Sequence, residues 1–295
     1  MVFTSITARK VSHCVVFCAL VGRAECGLVK VLLHAVDRQP LRFNAAPVLR
    51  ISNHFTGRDS ELDFISKSLA RSTNDEPTRL AIHGMPGLGK SQLALQFSKL
   101  GYSSRKYACI FWISANIEEK ISQGLTSVLD LVDDKDRHHP NHAVRLMAAR
   151  RWLEKSPQSW LLILDNVTAN VIPFLREHLP HESADGGAII ITTRTSQVAE
   201  AIVKAEDQHP RVLELKPLSV EQSATLLMRA AGLEDRGDGS EQDGANKLVR
   251  RVGCLPLAVE QAGAYMKQKH IPAEELQALY DGNSMANVSP VELYG

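Results

Sequence analysis

From residue 79 to residue 215 the chain alternates short, continuous apolar runs with longer stretches whose apolar residues recur at helical spacing. The runs 79–83, 108–113, 160–164, 188–193 and 212–215 have strand length. They lack an apolar–polar alternation, which is the pattern of parallel strands buried on both faces. Between them, Leu93, Phe97 and Leu100 share one helical face. Ile121, Leu125, Val128, Leu129 and Val132 fall at i, i+4, i+7, i+8 and i+11. A further helix is expected over 143–155, after the polar loop 133–142. Strands alternating with helices predict an α/β fold of three layers around a parallel sheet. Upstream, Asp59 and Ser60 are helix-capping types ahead of Leu62, Ile65 and Leu69, and 72–77 reads as a polar loop.

Beyond Pro217 the strands stop. Ser219 and Gln222 are spaced as a capping box for a helix carrying Ala224, Leu227, Met228 and Ala231, closed by Gly232. An acidic, glycine-rich loop is expected over 234–244, then helices over 245–252, 256–267 and 272–280. No internal repeat is found. Pro40 and Pro47 break the segment 37–52, which reads as a linker. The expected organisation is a leader and linker over 1–50, an α/β domain over 51–216, a small all-helical subdomain over 217–283 and a tail over 284–295.

Composition narrows the function. The 295 residues carry 34 Lys+Arg against 33 Asp+Glu, a net charge of +1, without the basic surplus of a constitutive nucleic-acid or anionic-membrane binder. An apolar share of 44% supports a hydrophobic core and excludes disorder of the whole chain. Cys14, Cys18, Cys26, Cys109 and Cys254 are odd in number and form no CxxC pair. They read as thiols of a reducing, cytoplasmic compartment. No stretch reaches the roughly 18–20 apolar residues of a membrane span. Arg9 and Lys10 precede the apolar run 11–22 in the manner of a secretory signal. Ser12 and His13 interrupt that run, however, and Arg23 and Glu25 stand where small cleavage-site residues belong.

One motif carries the chemistry. Gly84-Met85-Pro86-Gly87-Leu88-Gly89-Lys90-Ser91 matches GxxxxGK[ST] in full, between an expected strand and an expected helix. Its four fixed positions would occur by chance in about 1% of chains this long. Glycines let backbone N–H groups converge on phosphate oxygens, Lys90 supplies charge for the β- and γ-phosphates, and Ser91 offers a hydroxyl to Mg²⁺. The helix starting near Lys90 points its positive end at the same place. Asp165, after the apolar run 161–164, supplies the second metal partner. A strand between the two motifs fits the ATPase branch of this P-loop NTPase fold. Asp165 opens no DxxG pattern, and Asn246-Lys247 opens no NKxD, so adenine is expected over guanine. Arg194 ends the run 188–193 beside the crevice where sheet ligands bind.

In order, these motifs resemble the NB-ARC nucleotide-binding module of the STAND class of P-loop ATPases, from Phe55 to about Tyr280. Phe55-Thr56-Gly57-Arg58-Asp59-Ser60-Glu61 is similar to the family's opening motif, which packs against adenine and ribose. Thr192-Thr193-Arg194 resembles its sensor strand, whose arginine reads the γ-phosphate. Leu213 to Ser219 resembles the junction into the first helical subdomain. Gly253-Cys254-Leu255-Pro256-Leu257-Ala258 is similar to GLPLA with one added residue, and its proline contacts the base. Pro256 equally suits an ordinary helix start. The resemblance implies ADP or ATP with Mg²⁺ as ligands. It gives nucleotide contacts at Phe55, Thr56, Gly57, Arg58, Met85, Pro86, Gly87, Leu88, Gly89, Lys90, Ser91, Gln92, Arg194, Pro256 and Leu257, and metal contacts at Ser91 and Asp165. It also implies a homo-oligomer in the ATP-bound form, while the near-neutral charge leads us to expect neither nucleic acid nor membrane as partner.

Two departures shape the expected function. Where the family often has a second acid after the metal-binding aspartate, this chain has Asn166, an amide that takes no proton at neutral pH. The chain also stops at Gly295, before a winged-helix subdomain or sensor repeats, so the resemblance is to a truncated relative. Three readings follow. The chain is an adenine-nucleotide switch with slow hydrolysis at most, a turnover ATPase of the AAA+ type, or a non-signalling interaction module that retains nucleotide binding.

Overall fold

The five apolar runs form strands, and a sixth, two-residue strand joins them. These are β1 (Phe43–Asn44), β2 (Thr78–His83), β3 (Cys109–Ser114), β4 (Trp160–Val167), β5 (Ala188–Thr193) and β6 (Val212–Glu214). The computed structural model describes residues 41–70, 76–184, 186–203, 211–233 and 239–283. A unit boundary falls between Arg42 and Phe43, and the elements named here belong to the second unit. The expected leader as far as residue 40, most of the loop 72–77 and the tail 284–295 lie outside the described residues. Among the described residues no helix is long and apolar enough to cross a membrane.

All strand pairs are parallel, in the order β1-β3-β4-β5-β2-β6. The strand standing between the phosphate-loop strand β2 and the Asp165 strand β4 is therefore β5, while β3 lies on the far side of β4. The continuous apolar runs are explained by cover on both faces. Leu80, Ile82, Ile110, Leu161, Ile163 and Ile190 turn to one side, against Ile65 of α1 (Asp59–Ser68) and Leu93 and Phe97 of α2 (Lys90–Ser103). The alternate residues Phe111, Ile113, Leu162, Leu164, Ile189 and Ile191 are equally buried. On that side α3 (Glu118–Leu131) brings Gly124 against Ile113, and α4 (His142–Lys155) sets Trp152 edge-on to Phe111 at 5.8 Å.

The structure departs from the expected elements at five places. The supposed linker 37–52 contains β1, whose Phe43 and Asn44 pair with Cys109 and Ile110, followed by a 3₁₀ turn over Val48–Arg50. Two seven-residue helices were not expected, α5 (Ile172–His178) and α6 (Ser196–Ile202). They are too short for a periodic signal; Pro173 in the first turn of one and the Thr195 cap of the other are their only marks. The strand β4 runs past Leu164 through an irregularity that places Asn166 at φ 63°. The loop expected over 234–244 gives way at Gly239, where α8 (Gly239–Arg251) begins.

The helical part closes with α7 (Val220–Ala231), α9 (Pro256–Lys269) and α10 (Ala273–Asn283). The capping box forms as expected: Ser219 Oγ accepts from Gln222 N, and Gln222 Oε1 accepts from Ser219 N, both at 3.1 Å. Leu227, Leu248, Val259 and Met266 make a second core.

Gly187, just before β5, lies flat against Trp160. A Cβ there would stand 2.2 Å from the indole Cζ2. The indole is fully buried, and its Nε1 donates to Leu153 O at 2.8 Å, so it cannot swing aside without losing that bond. Gly187→Ala is expected to cost about 1–3 kcal/mol. Differential scanning fluorimetry should read this as a fall of roughly 3–10 °C in melting temperature.

Candidate functional site

The loop between β2 and α2 turns through Gly84, Gly87 and Gly89 at φ 146°, 82° and 88°. Backbone in that region disfavours any side chain. At Gly84 a Cβ would also strike Leu215 O at 2.7 Å. The last glycine leads directly into α2 at Lys90, so the first N–H groups of that helix face the loop. Lys90 Nζ donates to Gly84 O at 2.7 Å and Met85 O at 2.8 Å, which holds the ammonium within the curl of the loop. Burial lowers the pKa of Lys90 below the ordinary lysine value. The charge of Arg194 lowers it further, and Asp165 opposes both. Arg194 is exposed at the end of β5.

At the expected metal contacts, Ser91 Oγ donates to Asp165 Oδ1 at 2.7 Å. Thr192 Oγ1 donates to the same oxygen, also at 2.7 Å. A serine hydroxyl that gives its proton to a carboxylate keeps its lone pairs for a cation. The pair is a set of hard oxygen donors of the kind Mg²⁺ takes in ones and twos while keeping waters and phosphate oxygens as its other ligands. Thr192 was not foreseen as part of this cluster. In the sequence it reads as one more β-branched residue of a buried strand.

The remaining expected contacts divide. Phe55 packs on the edge of the first core, and Gly57 lies against the Gln222 side chain of α7. Leu257, at the start of α9, donates its N–H to Gly87 O at 3.2 Å. This brings the Pro256–Leu257 turn against the phosphate loop. Met85 and Leu257 are exposed, Pro86, Gly87 and Pro256 are not buried, and Leu88 is buried in the sheet core. The Leu88 side chain is therefore a packing group, which leaves only its backbone for phosphate. Gln92 places its amide elsewhere: Oε1 accepts from Ser52 N at 2.9 Å, and Nε2 donates to Arg50 O at 3.0 Å.

Arg58, expected among the nucleotide contacts, has its guanidinium engaged by the protein itself. The Arg58 side chain is only 6% exposed. Its guanidinium donates to Glu61 Oε1 at 2.6 Å, Lys216 O at 2.8 Å and Leu88 O at 3.2 Å. It therefore ties the opening motif, the junction before α7 and the phosphate loop together from inside. Its backbone sits at φ 71° immediately before α1. Burial raises the Glu61 pKa, but hydrogen bonds from Arg58 and Ser60 outweigh that and hold the carboxyl below its usual range.

The NB-ARC domain family matches residues 58–235. That span holds Arg58, the phosphate loop, Asp165 and Arg194; Phe55, Thr56, Gly57, Pro256 and Leu257 fall outside it. A nucleotide-binding leucine-rich repeat (NLR)-like protein of Hyaloscypha variabilis is 24% identical over 262 residues, covering 82% of this chain and 25% of that protein. The putative disease resistance RPP13-like protein 3 of Arabidopsis thaliana is 25% identical over 214 residues, covering 69% of this chain and 24% of that protein. The chain thus spans about a quarter of the length of these relatives. Among solved structures, Cdc6p from Pyrobaculum aerophilum aligns over 75% of this chain and 65% of its own, with a TM-score of 0.51 at 16% identity. That likeness shows the fold alone.

Proposed function

The chain belongs to the NB-ARC domain family, a nucleotide-binding module, and on that premise we propose that it is an adenine-nucleotide switch that hydrolyses ATP slowly at most. One observation carries the reading: the phosphate loop is hydrogen-bonded to both parts of the molecule. Through Asp165 and Ser91 it joins the sheet, and through Gly87 O and Leu257 N it joins the helical subdomain. A nucleotide in the loop would touch both, so its phosphate count can bias how they sit, provided ADP and ATP bind the two arrangements unequally.

Each residue has a part in this. The loop N–H groups and Lys90 grip the phosphates, and Phe55, Thr56 and Pro256 offer apolar surface to a purine. Ser91 and Asp165 are the residues that would hold Mg²⁺, which when bound neutralises phosphate charge. Asn166 follows Asp165 with an amide that cannot accept the proton of an attacking water. Turnover below roughly one per second is expected for that reason, against the 1–10³ per second of ordinary enzymes. The AAA+ motor reading requires more. A homo-oligomeric ATP form and a reducing, cytoplasmic setting belong to the same proposal, the latter supported by the thiols of Cys109 and Cys254.

Isothermal titration of the full chain with ADP, ATP and GTP tests it. Adenine nucleotides should bind with Mg²⁺ and GTP at least about tenfold more weakly, and a chain that binds no adenine nucleotide would end the proposal. The exposed Arg194 supplies the finer test. Arg194→Ala should weaken ATP by about tenfold, the scale of one charge-assisted bond, and leave ADP within about twofold. Equal losses for both nucleotides would remove Arg194 as the reader of the γ-phosphate.

A further inference from the structure

The end of β5 holds a threonine whose hydroxyl is fully engaged. Thr192 is 1% exposed, and its side chain stands beside the irregularity in β4. Its Oγ1 donates to Asp165 Oδ1 at 2.7 Å and accepts from the Asn166 backbone N–H at 2.8 Å. The next residue repeats the attachment one step on, where Thr193 Oγ1 donates to Val167 O at 2.8 Å. Two hydroxyls, those of Ser91 and Thr192, therefore converge on one carboxylate oxygen. Among the described residues the other oxygen, Oδ2, accepts no hydrogen bond.

We infer that Thr192 is the positioning residue of the metal side: its hydroxyl aims the Asp165 carboxylate and fixes the left-handed turn at Asn166 that carries it. The inference rests on the nucleotide reading above and goes beyond it. A free aspartate turns about two bonds. With Oδ1 held by two donors, rotation costs a desolvated hydrogen bond, so Oδ2 is presented in one place. Asn166 at φ 63° is among the few residue types that tolerate this backbone, and the acceptor for its N–H is a side chain rather than a strand partner. Removing the hydroxyl would leave that N–H unsatisfied and free the carboxylate at once. Thr192 lies in β5 and Arg194 directly follows that strand, so the metal side and the exposed arginine are two residues apart along the chain.

The test compares ADP affinity of the full chain in excess Mg²⁺ and in excess EDTA. Thr192→Val keeps the shape and removes the hydroxyl. It should lose about tenfold of the affinity measured in Mg²⁺, the scale of one hydrogen bond to a charged group. In EDTA it should stay within about twofold of the parent. Thr192→Ser should restore most of the loss, because the donor and acceptor return. Equal losses in Mg²⁺ and EDTA, or a serine variant no better than valine, overturn the assignment, since a purely structural threonine behaves in that way. If valine does not fold by circular dichroism, Thr192→Cys replaces it, and its weak donor should place it between serine and the full loss; a cysteine variant equal to the parent overturns the assignment as well. A parent chain that binds no nucleotide overturns the switch reading and this one with it. A parent that gains affinity from Mg²⁺, with valine gaining as much, overturns the Thr192 assignment alone.

Discussion

Arg58→Ala is expected to lower the melting temperature by about 10 °C and to weaken nucleotide binding as a secondary effect. Removing one partner of a fully buried charge pair costs about 3–5 kcal/mol. Glu61 is partly exposed and keeps the Ser60 hydrogen bond, so about 3 kcal/mol is expected here, most of it from the carbonyls that Arg58 leaves. A domain of this size loses roughly 2–4 °C per kcal/mol. Here the guanidinium also satisfies two carbonyls, Leu88 O and Lys216 O, that lie 30 and 158 residues away along the chain. Alanine leaves both without that donor. Arg58→Lys should recover less than half of the loss, since one compact ammonium cannot reproduce a planar fork that reaches three acceptors. A variant that melts like the parent, yet binds ADP far more weakly, would return Arg58 to the role of a ligand contact.

The same residue makes a pH prediction. The Glu61 carboxyl is held below the ordinary glutamate value of about 4.5 in the folded protein. The unfolded chain binds that proton more readily, so the pair contributes stability above about pH 4.5 that is lost as pH falls through the folded value. Urea midpoints of the parent should therefore fall on acidification partly through Glu61. The gap between the parent and Arg58→Ala should narrow below pH 4.5.

Arg58 also shows what the sequence could and could not disclose. Where the physics is local and the element long enough to repeat, it was readable. The runs that became β2 to β6 are apolar without alternation because both sheet faces are covered, and the Ser219–Gln222 box closes within one helical turn. The glycine spacing of the phosphate loop encodes its positive φ angles directly. What stayed hidden depends on pairing across the chain. β1 is two residues long and exists because Cys109 and Ile110 offer it an edge. Nothing near Gly187 announces the indole of Trp160 that forbids a side chain there. Thr192 and Arg58 carry ordinary strand and surface residue types. Their roles appear only once Asp165, Leu88 and Lys216 are brought to them. The resemblance places Arg58 among the ligand contacts; burial also gives its guanidinium three protein acceptors.

Lys90→Ala should have the opposite signature, a large loss of binding with no loss of stability. Lys90 makes two hydrogen bonds, but their acceptors, Gly84 O and Met85 O, lie in a loop that water reaches, so solvent can replace the ammonium. Against those bonds stand the desolvation and the Arg194 repulsion that lower the Lys90 pKa. A lysine whose folded pKa lies below its unfolded one carries its charge at a cost in the folded state. Its charged form thus opposes folding at neutral pH, and that opposition fades as pH rises through the folded value. Alanine removes the opposition outright, so the variant should melt within about 2 °C of the parent, or above it, at pH 7. Phosphate reverses the balance. Placed between Lys90 and Arg194, its negative charge offsets their repulsion and accepts charge-assisted bonds of about 1.5–3 kcal/mol each. Losing the lysine should weaken ADP and ATP alike by roughly 100-fold. Lys90→Arg should not rescue, because a rigid fork does not fit where a single ammonium lies against two loop carbonyls. Calorimetry and thermal melting on the same samples decide the matter. A variant that binds as the parent does excludes the phosphate loop as the site. One that unfolds makes Lys90 a structural tie, and one that melts normally but cannot bind shows a charge kept for the ligand at the expense of the fold.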